Sequence, residues 1–73
     1  MTPETLTVGE RIRRLRRQRG WTQCELAAET GVARNTLAKW ETDVCLPRTV
    51  SLFDLARALG VSMDAVLGER RAT

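Results

Sequence analysis

Two helix signals separated by a very short connection around Gly31 constrain the fold more than any other feature of the sequence. Thr22 is a favourable helix N-cap, and Glu25, three residues later, completes the capping-box pattern that starts a helix. After Gly31, the spacing of Leu37 and Trp40 is that of one apolar helix face. Because the connecting turn has only about three or four residues, the two helices must meet at a sharp angle.

Comparable signals divide the rest of the chain into helices joined by short turns. Thr7 and Glu10 form a second capping-box pattern, and Ser62 is suited to cap a last short helix. No stretch shows the period-two alternation of a half-buried strand. The sequence therefore predicts an all-α, compact five-helix domain with helices at about residues 8–19, 22–29, 33–41, 50–59 and 63–67.

Helical periodicity also predicts the core. Both tryptophans fall at positions expected to pack inside rather than to stack on bases. We expect a single domain over residues 1–73, with an ordered core at about residues 7–68 and frayed termini. Among the side chains expected to face inward are Trp21, Ala33, Leu37, Trp40, Val66 and Leu67.

The charge balance points to an anionic partner. The 73-residue chain carries 12 basic and 9 acidic residues, which gives a net charge of +3, and its pI is about 9.7. All of the basic residues except Lys39 are arginine. Arginine suits phosphate groups and guanine edges because its planar guanidinium group can donate hydrogen bonds to two acceptors at once.

Absent residue types exclude several function classes. The chain has no His, so Ser–His and Cys–His catalysis are excluded, and we expect no enzymatic activity. Cys24 and Cys45 cannot complete a four-ligand zinc site, so neither a metal nor another cofactor is expected. The sequence shows neither a secretory signal nor an apolar run long enough to span a membrane. It therefore predicts a cytoplasmic protein, in which free thiols are favoured over a Cys24–Cys45 disulfide.

Several motifs then occur in one order with a specific spacing. The stretch GERIRRLRRQRGWTQCELAAETGVARNTLAKWE, followed by LPRTVSLFDLARALGVSMDAVLG, closely resembles the phage-repressor and Cro-like helix-turn-helix family, whose fold is called lambda-repressor-like. The match covers about residues 9–68. The resemblance implies sequence-specific binding to double-stranded DNA, usually as a symmetric homodimer on a pseudo-palindromic operator, and commonly a role in repression.

The third helix holds the candidate base-reading residues. Arg34, Asn35 and Lys39 lie away from its apolar stripe. The first turn of a recognition helix meets base edges, where Arg suits guanine and Asn suits adenine. The resemblance places base-reading residues at the same three positions. The alternative interpretation is an ordinary solvated helix face.

Three further residues are candidates for contacts with DNA phosphates. Gln23 begins the second helix, where backbone N–H groups favour an anion, and the resemblance also assigns it to the DNA backbone. A capping role is its alternative. Arg48 and Thr42 follow the third helix and offer a guanidinium and a hydroxyl or backbone N–H.

Six arginines lie in the stretch RIRRLRRQRG, and they are not expected to act as one patch. Arg16 borders the apolar stripe of the first helix, and Glu41 closes the third. The resemblance pairs Arg and Glu at these positions in a partly buried ion pair. Arg19 is expected near the fraying end of the first helix. The arginines expected to form a solvated face that attracts DNA at long range are Arg11, Arg13, Arg14 and Arg17.

Two expectations concern partners. An antitoxin-like or other protein-interaction module on the same fold is the alternative function, with DNA binding secondary. The self-association surface is expected on the last helix and around Val61.

One residue departs from the family pattern, because Ala33 stands where Ser or Thr often caps the third helix.

Overall fold

A computed structural model describes residues 6–68 of the chain. These residues form five α-helices: α1 Val8–Gln18, α2 Gln23–Thr30, α3 Arg34–Glu41, α4 Thr49–Leu59 and α5 Met63–Leu67. No strand occurs in this range, so the predicted all-α, five-helix class is confirmed, and every helix boundary lies within one residue of its prediction. The predicted fraying concerns termini that lie outside the described residues.

Local hydrogen bonds explain where the helices start. The Thr7 hydroxyl accepts a hydrogen bond from the Glu10 backbone N–H, and the Glu10 carboxylate accepts one from the Thr7 N–H at 3.0 Å. Thr22 and Glu25 repeat this reciprocal arrangement at the start of α2. Both predicted capping boxes are therefore present. Each satisfies two backbone donors that a helix start would otherwise leave unpaired.

The core draws on all five helices. Each helix contributes one apolar side chain that is completely shielded from solvent: Ile12, Leu26, Leu37, Leu55 and Val66. Trp40 is also buried, and Trp21 is partly buried against the same cluster. None of the helices in residues 6–68 has the length and apolarity needed to cross a membrane.

Two residues predicted to face inward do not. Ala33 is exposed because it is the N-cap of α3, where the backbone is extended, so the helical spacing does not yet apply to it. Leu67 is 42% exposed at the C-terminal end of α5, whereas its neighbour Val66 takes the buried position. Helical periodicity predicts burial well inside a helix and poorly at either end of it.

The start of α1 lies directly against the end of α3. Gly9 is buried there, and a Cβ atom at Gly9 would lie 2.7 Å from the carbonyl oxygen of Glu41. The carboxylate of Asp43 accepts hydrogen bonds from the Thr7 hydroxyl at 2.7 Å and from the Gly9 N–H at 3.0 Å. Asp43 itself has a left-handed backbone with φ 63°. This contact fixes the C-terminal end of α3 and therefore the direction in which α3 projects.

Arg19 also has a tertiary role that the sequence did not predict. Its guanidinium lies 4.6 Å from the ring centroid of Trp21, a cation–π contact. Its Nη1 donates a 3.3 Å hydrogen bond to the carbonyl oxygen of Leu59, near the end of α4. Instead of fraying at the end of α1, Arg19 ties α1 to α4.

Candidate nucleic-acid interface

Helix α3 presents one polar face to solvent. Leu37 and Trp40 anchor the helix in the core, while Arg34, Asn35 and Lys39 are exposed on its other side. The three predicted base-reading residues therefore share one accessible surface. A helix anchored by its apolar side and exposed along this surface is free to enter a groove of DNA.

The turn before α3 sets the angle between α2 and α3. Gly31 ends α2 with φ 77°, a left-handed conformation that favours glycine. The Val32 N–H then donates a 3.0 Å hydrogen bond to the carbonyl oxygen of Ala27, and the Val32 side chain packs against the core. Ala33 completes the turn. Both the backbone hydrogen bond and the partly buried Val32 side chain hold the turn in place, so α3 projects at a fixed angle.

A buried ion pair lies beneath α3. The Nε of Arg16 lies 2.7 Å from Glu41 Oε2, and its Nη2 lies 3.0 Å from Glu41 Oε1, so the contact is bidentate. The remaining nitrogen, Nη1, donates to the carbonyl oxygen of Trp21 at 2.8 Å. Arg16 is 8% exposed and Glu41 is 1% exposed. One arginine thus holds α1, the end of α3 and the residue before the α2 cap in one arrangement.

Gln23 links this ion pair to the exposed face of α3. Its Nε2 donates to Glu41 Oε1 at 3.0 Å, and its Oε1 accepts a 3.1 Å hydrogen bond from Arg34 Nη1. Sequence reasoning missed this role, because the three residues meet only when α2 and the two ends of α3 are folded together. The amide therefore holds one edge of the Arg34 guanidinium, and no other hydrogen bond from that group is seen within residues 6–68.

The acidic side chains of α3 and its following turn are engaged in hydrogen bonds within the molecule. Glu41 is occupied by Arg16 and Gln23. Asp43 accepts hydrogen bonds from Thr7 and Gly9. Within residues 34–43, both carboxylates are thus turned away from the face that carries Arg34 and Lys39, and that face is electropositive.

The remaining predicted phosphate contacts lie beyond α3. Arg48 is exposed at the N-cap of α4. Thr42 is exposed as well, but its hydroxyl and its backbone N–H both donate to the carbonyl oxygen of Ala38, at 2.9 and 3.1 Å. A phosphate contact through Thr42 therefore requires one of these donors to leave Ala38.

The arginines of α1 do not form a uniform solvated face. Arg14 and Arg17 are exposed, as expected. Arg11 is half-buried, and its guanidinium lies where a Cβ atom at Gly68 would be. Arg13 is half-buried too, with its Nε 3.9 Å from Glu41 Oε1. The prediction that these arginines point to solvent is wrong for Arg11, because the end of α5 lies beside it, whereas the side chain of Arg13 is 42% exposed beside the buried carboxylate of Glu41.

Cys24 and Cys45 are exposed free thiols. In the part of the chain that the structure describes, no group of three or more Cys, Asp or Glu side chains is arranged to hold a metal ion.

Five helices, a short glycine-containing turn and an outward polar third helix together define a helix-turn-helix domain. The comparison with known families agrees with this class. The chain belongs to the Cro/C1-type helix-turn-helix family, whose model matches residues 12–66.

Individual relatives are regulators. The chain is 39% identical over 64 residues to the immunity repressor protein of Bacillus phage phi105, covering 88% of this chain and 44% of that protein. It is 42% identical over 55 residues to the uncharacterised helix-turn-helix transcriptional regulator y4dJ of Sinorhizobium fredii, covering 75% of this chain and 71% of that protein. The chain thus spans less than half the length of the phage relative.

A solved structure shares the fold. The P22 c2 repressor protein in complex with synthetic operator 9T superposes with a TM-score of 0.83 and 33% sequence identity. The match covers 89% of this chain and 100% of that one.

Proposed function

We propose that this protein binds double-stranded DNA sequence-specifically as a symmetric homodimer and represses transcription, with α3 lying in the major groove. The observation that carries this proposal is the exposed face of α3. It groups Arg34, Asn35 and Lys39, while the carboxylates of Glu41 and Asp43 are engaged elsewhere. The relatives named as repressors support it. DNA binding also agrees with the predicted cytoplasmic localisation.

The proposed base contacts follow from hydrogen-bonding capacity. Arg34 has donors for the O6 and N7 acceptors of guanine, and Gln23 already holds one of its nitrogens. Asn35 suits the N6 and N7 of adenine. Lys39, one turn further along α3, donates to guanine or to a phosphate. Each well-formed bidentate contact contributes roughly 1–3 kcal/mol of discrimination.

The proposed phosphate contacts are Gln23, Arg48 and Thr42. Gln23 begins α2, so the backbone N–H groups of that helix start lie beside its amide. Arg48 is exposed and carries a full positive charge. Such contacts position the protein on the duplex without reading its sequence.

The homodimer is proposed from the symmetry of operator recognition, in which two recognition helices enter successive major grooves about 34–36 Å apart. Val61, part of the predicted dimer surface, is half-buried against the core, but Leu67 of α5 is 42% exposed. Four other large apolar side chains of the described residues are also exposed: Val44, Leu46, Val50 and Phe53.

Sedimentation equilibrium, with and without duplex, tests the dimer. Leu67→Lys and Phe53→Lys test whether either exposed side chain lies in the dimer contact, because a charge at a buried dimer contact must be desolvated and therefore weakens the dimer. A monomer on a palindromic duplex at all concentrations contradicts the proposed symmetry.

The alternative function, a protein-interaction module with secondary DNA binding, fits α3 less well. Such a module is expected to present neutral or acidic side chains there, whereas this face carries Arg34 and Lys39.

A binding selection with a random-sequence duplex library tests the proposed function. The expected result is enrichment of a pseudo-palindromic site, bound at least about 10³-fold more tightly than a scrambled duplex at physiological salt. Binding without enrichment of any sequence, or no binding, would refute sequence-specific recognition.

A further inference from the structure

We propose that Arg13 of α1 is a further contact with the DNA backbone, so that the phosphate-binding surface extends from the start of α2 onto α1. This inference rests on the proposed function and deepens it. The proposal assigns Arg13 a role that Arg14 and Arg17, the exposed arginines of the same helix, do not share. The sequence alone does not distinguish these three residues.

Arg13 and Gln23 approach the same oxygen atom. Gln23 Nε2 lies 3.0 Å from Glu41 Oε1, and Arg13 Nε lies 3.9 Å from that oxygen. The two side chains therefore lie next to each other, although ten positions separate them in the sequence. If Gln23 meets a phosphate group, Arg13 is within reach of the same group or of its neighbour.

Glu41 lies within ion-pair distance of Arg13 but makes no hydrogen bond to it. Its two oxygens already accept short hydrogen bonds from Arg16 at 2.7 and 3.0 Å, and Oε1 accepts another from Gln23. The 3.9 Å separation from Arg13 is too long for a hydrogen bond. Among the described residues, the guanidinium of Arg13 therefore donates no hydrogen bond and can donate to another acceptor.

The charges agree with an anionic partner. Arg16 and Arg13 share the single, fully buried carboxylate of Glu41, at 2.7 and 3.9 Å, so this cluster keeps a net positive charge. The Arg13 side chain is 42% exposed. A charge that is held beside α2, open to water and not cancelled by its nearest carboxylate is well placed to bind a phosphate.

Arg14 provides a matched control. It is the next residue of α1 and is exposed, but it points about 100° further around the helix. Replacing either arginine with alanine removes one positive charge from the same helix. A difference between R13A and R14A therefore reports position rather than net charge.

The experiment measures Kd by fluorescence anisotropy on a duplex selected by the wild-type protein and on a scrambled duplex, across a salt series. Loss of one phosphate contact reduces the magnitude of the slope of log K against log salt by about 0.9. R13A is expected to show this reduction on both duplexes. Between 50 and 200 mM salt, the fold-decrease in its affinity should then be smaller than that of the wild type by a factor of about 3.5. R14A is expected to keep most of the wild-type slope.

Two more variants separate binding from folding, because Arg13 also lies near a buried carboxylate. R13K keeps the charge and is expected to retain the slope, whereas R13Q is expected to lose it as R13A does. If the wild type binds DNA but R13Q and R14A show equal salt slopes, the inference is overturned and the proposed function remains intact. If the wild type binds no duplex, both fail together.

Discussion

Arg16 holds both carboxylate oxygens of Glu41 through one guanidinium, at 2.7 and 3.0 Å, in a nearly solvent-free contact between α1 and the end of α3. The same carboxylate accepts a hydrogen bond from Gln23, and Gln23 in turn accepts one from Arg34. A chain of polar contacts thus runs from the interior to the first residue of the proposed reading helix. Stability and base recognition are expected to be coupled through it.

Replacing Glu41 with Ala is expected to destabilise the protein by roughly 3–5 kcal/mol, because it leaves the charge of Arg16 buried without a partner. Urea unfolding followed by circular dichroism measures this change. Asp54→Ala is the control. It removes an exposed ion pair with Arg57 of 3.5 Å, which should contribute at most about 1 kcal/mol. Equal effects of the two substitutions would show that burial of the Arg16–Glu41 pair has no energetic consequence.

Replacing Ala33 with Ser is expected to stabilise the protein by about 1 kcal/mol. Ala33 has the extended N-cap backbone but makes no side-chain cap hydrogen bond, and it is exposed. A serine hydroxyl can accept from the N–H groups of the first turn. Thr22→Ala, which removes an existing cap of α2, should shift the unfolding midpoint by a similar amount in the opposite direction. A midpoint that Ala33→Ser leaves unchanged or lowers contradicts this account of the α3 start.

Replacing Gly9 with Ala is expected to lower stability by at least about 2 kcal/mol, although Gly to Ala inside a helix ordinarily stabilises by roughly 0.5–1 kcal/mol. The new Cβ would lie 2.7 Å from the Glu41 carbonyl oxygen and 2.8 Å from Asp43 Oδ1, so α1 and α3 would have to separate. Arg14→Ala, at an exposed position of α1, should stay within about 0.5 kcal/mol of the wild type. Thermal melts show whether Gly9→Ala raises or lowers stability. A Gly9→Ala protein as stable as the wild type would disprove the close approach of α1 to α3.

Replacing Gln23 with Ala is expected to weaken binding to all duplexes and also to weaken base preference at the position read by Arg34. The guanidinium loses the amide oxygen that holds it at 3.1 Å and regains rotamer freedom. Enrichment profiles from the random library measure both effects. A uniform loss of affinity with an unchanged profile would mean that Gln23 acts only on the DNA backbone.

The helices could be predicted because their signals are local. Thr7 with Glu10 and Thr22 with Glu25 are capping boxes formed by residues three positions apart, so their spacing is visible in the sequence. Gly31 likewise marks its turn through its own backbone conformation. The errors arose where periodicity was extended to Ala33, one residue before α3 begins, and to Leu67, the last residue of α5.

The site could be predicted only in part. Arg34, Asn35 and Lys39 share a helix face, which periodicity reveals. In contrast, the contact of Gly9 with Asp43 joins residues 34 positions apart. The hydrogen bond from Gln23 to Glu41 spans 18 positions. Such contacts depend on how α1, α2 and α3 pack, and no local pattern encodes that packing.

The central claim is that the exposed face of α3 reads base identity, and library selections on Arg34→Ala and Asn35→Ala test it most directly. Arg48→Ala, which removes a proposed phosphate contact, is the control and should weaken binding to all sequences about equally. The account predicts that Arg34→Ala and Asn35→Ala each lose preference at one base position per half-site, at roughly 1–3 kcal/mol. If both variants lose affinity uniformly while every base preference of the wild type persists, α3 does not read the sequence through these residues.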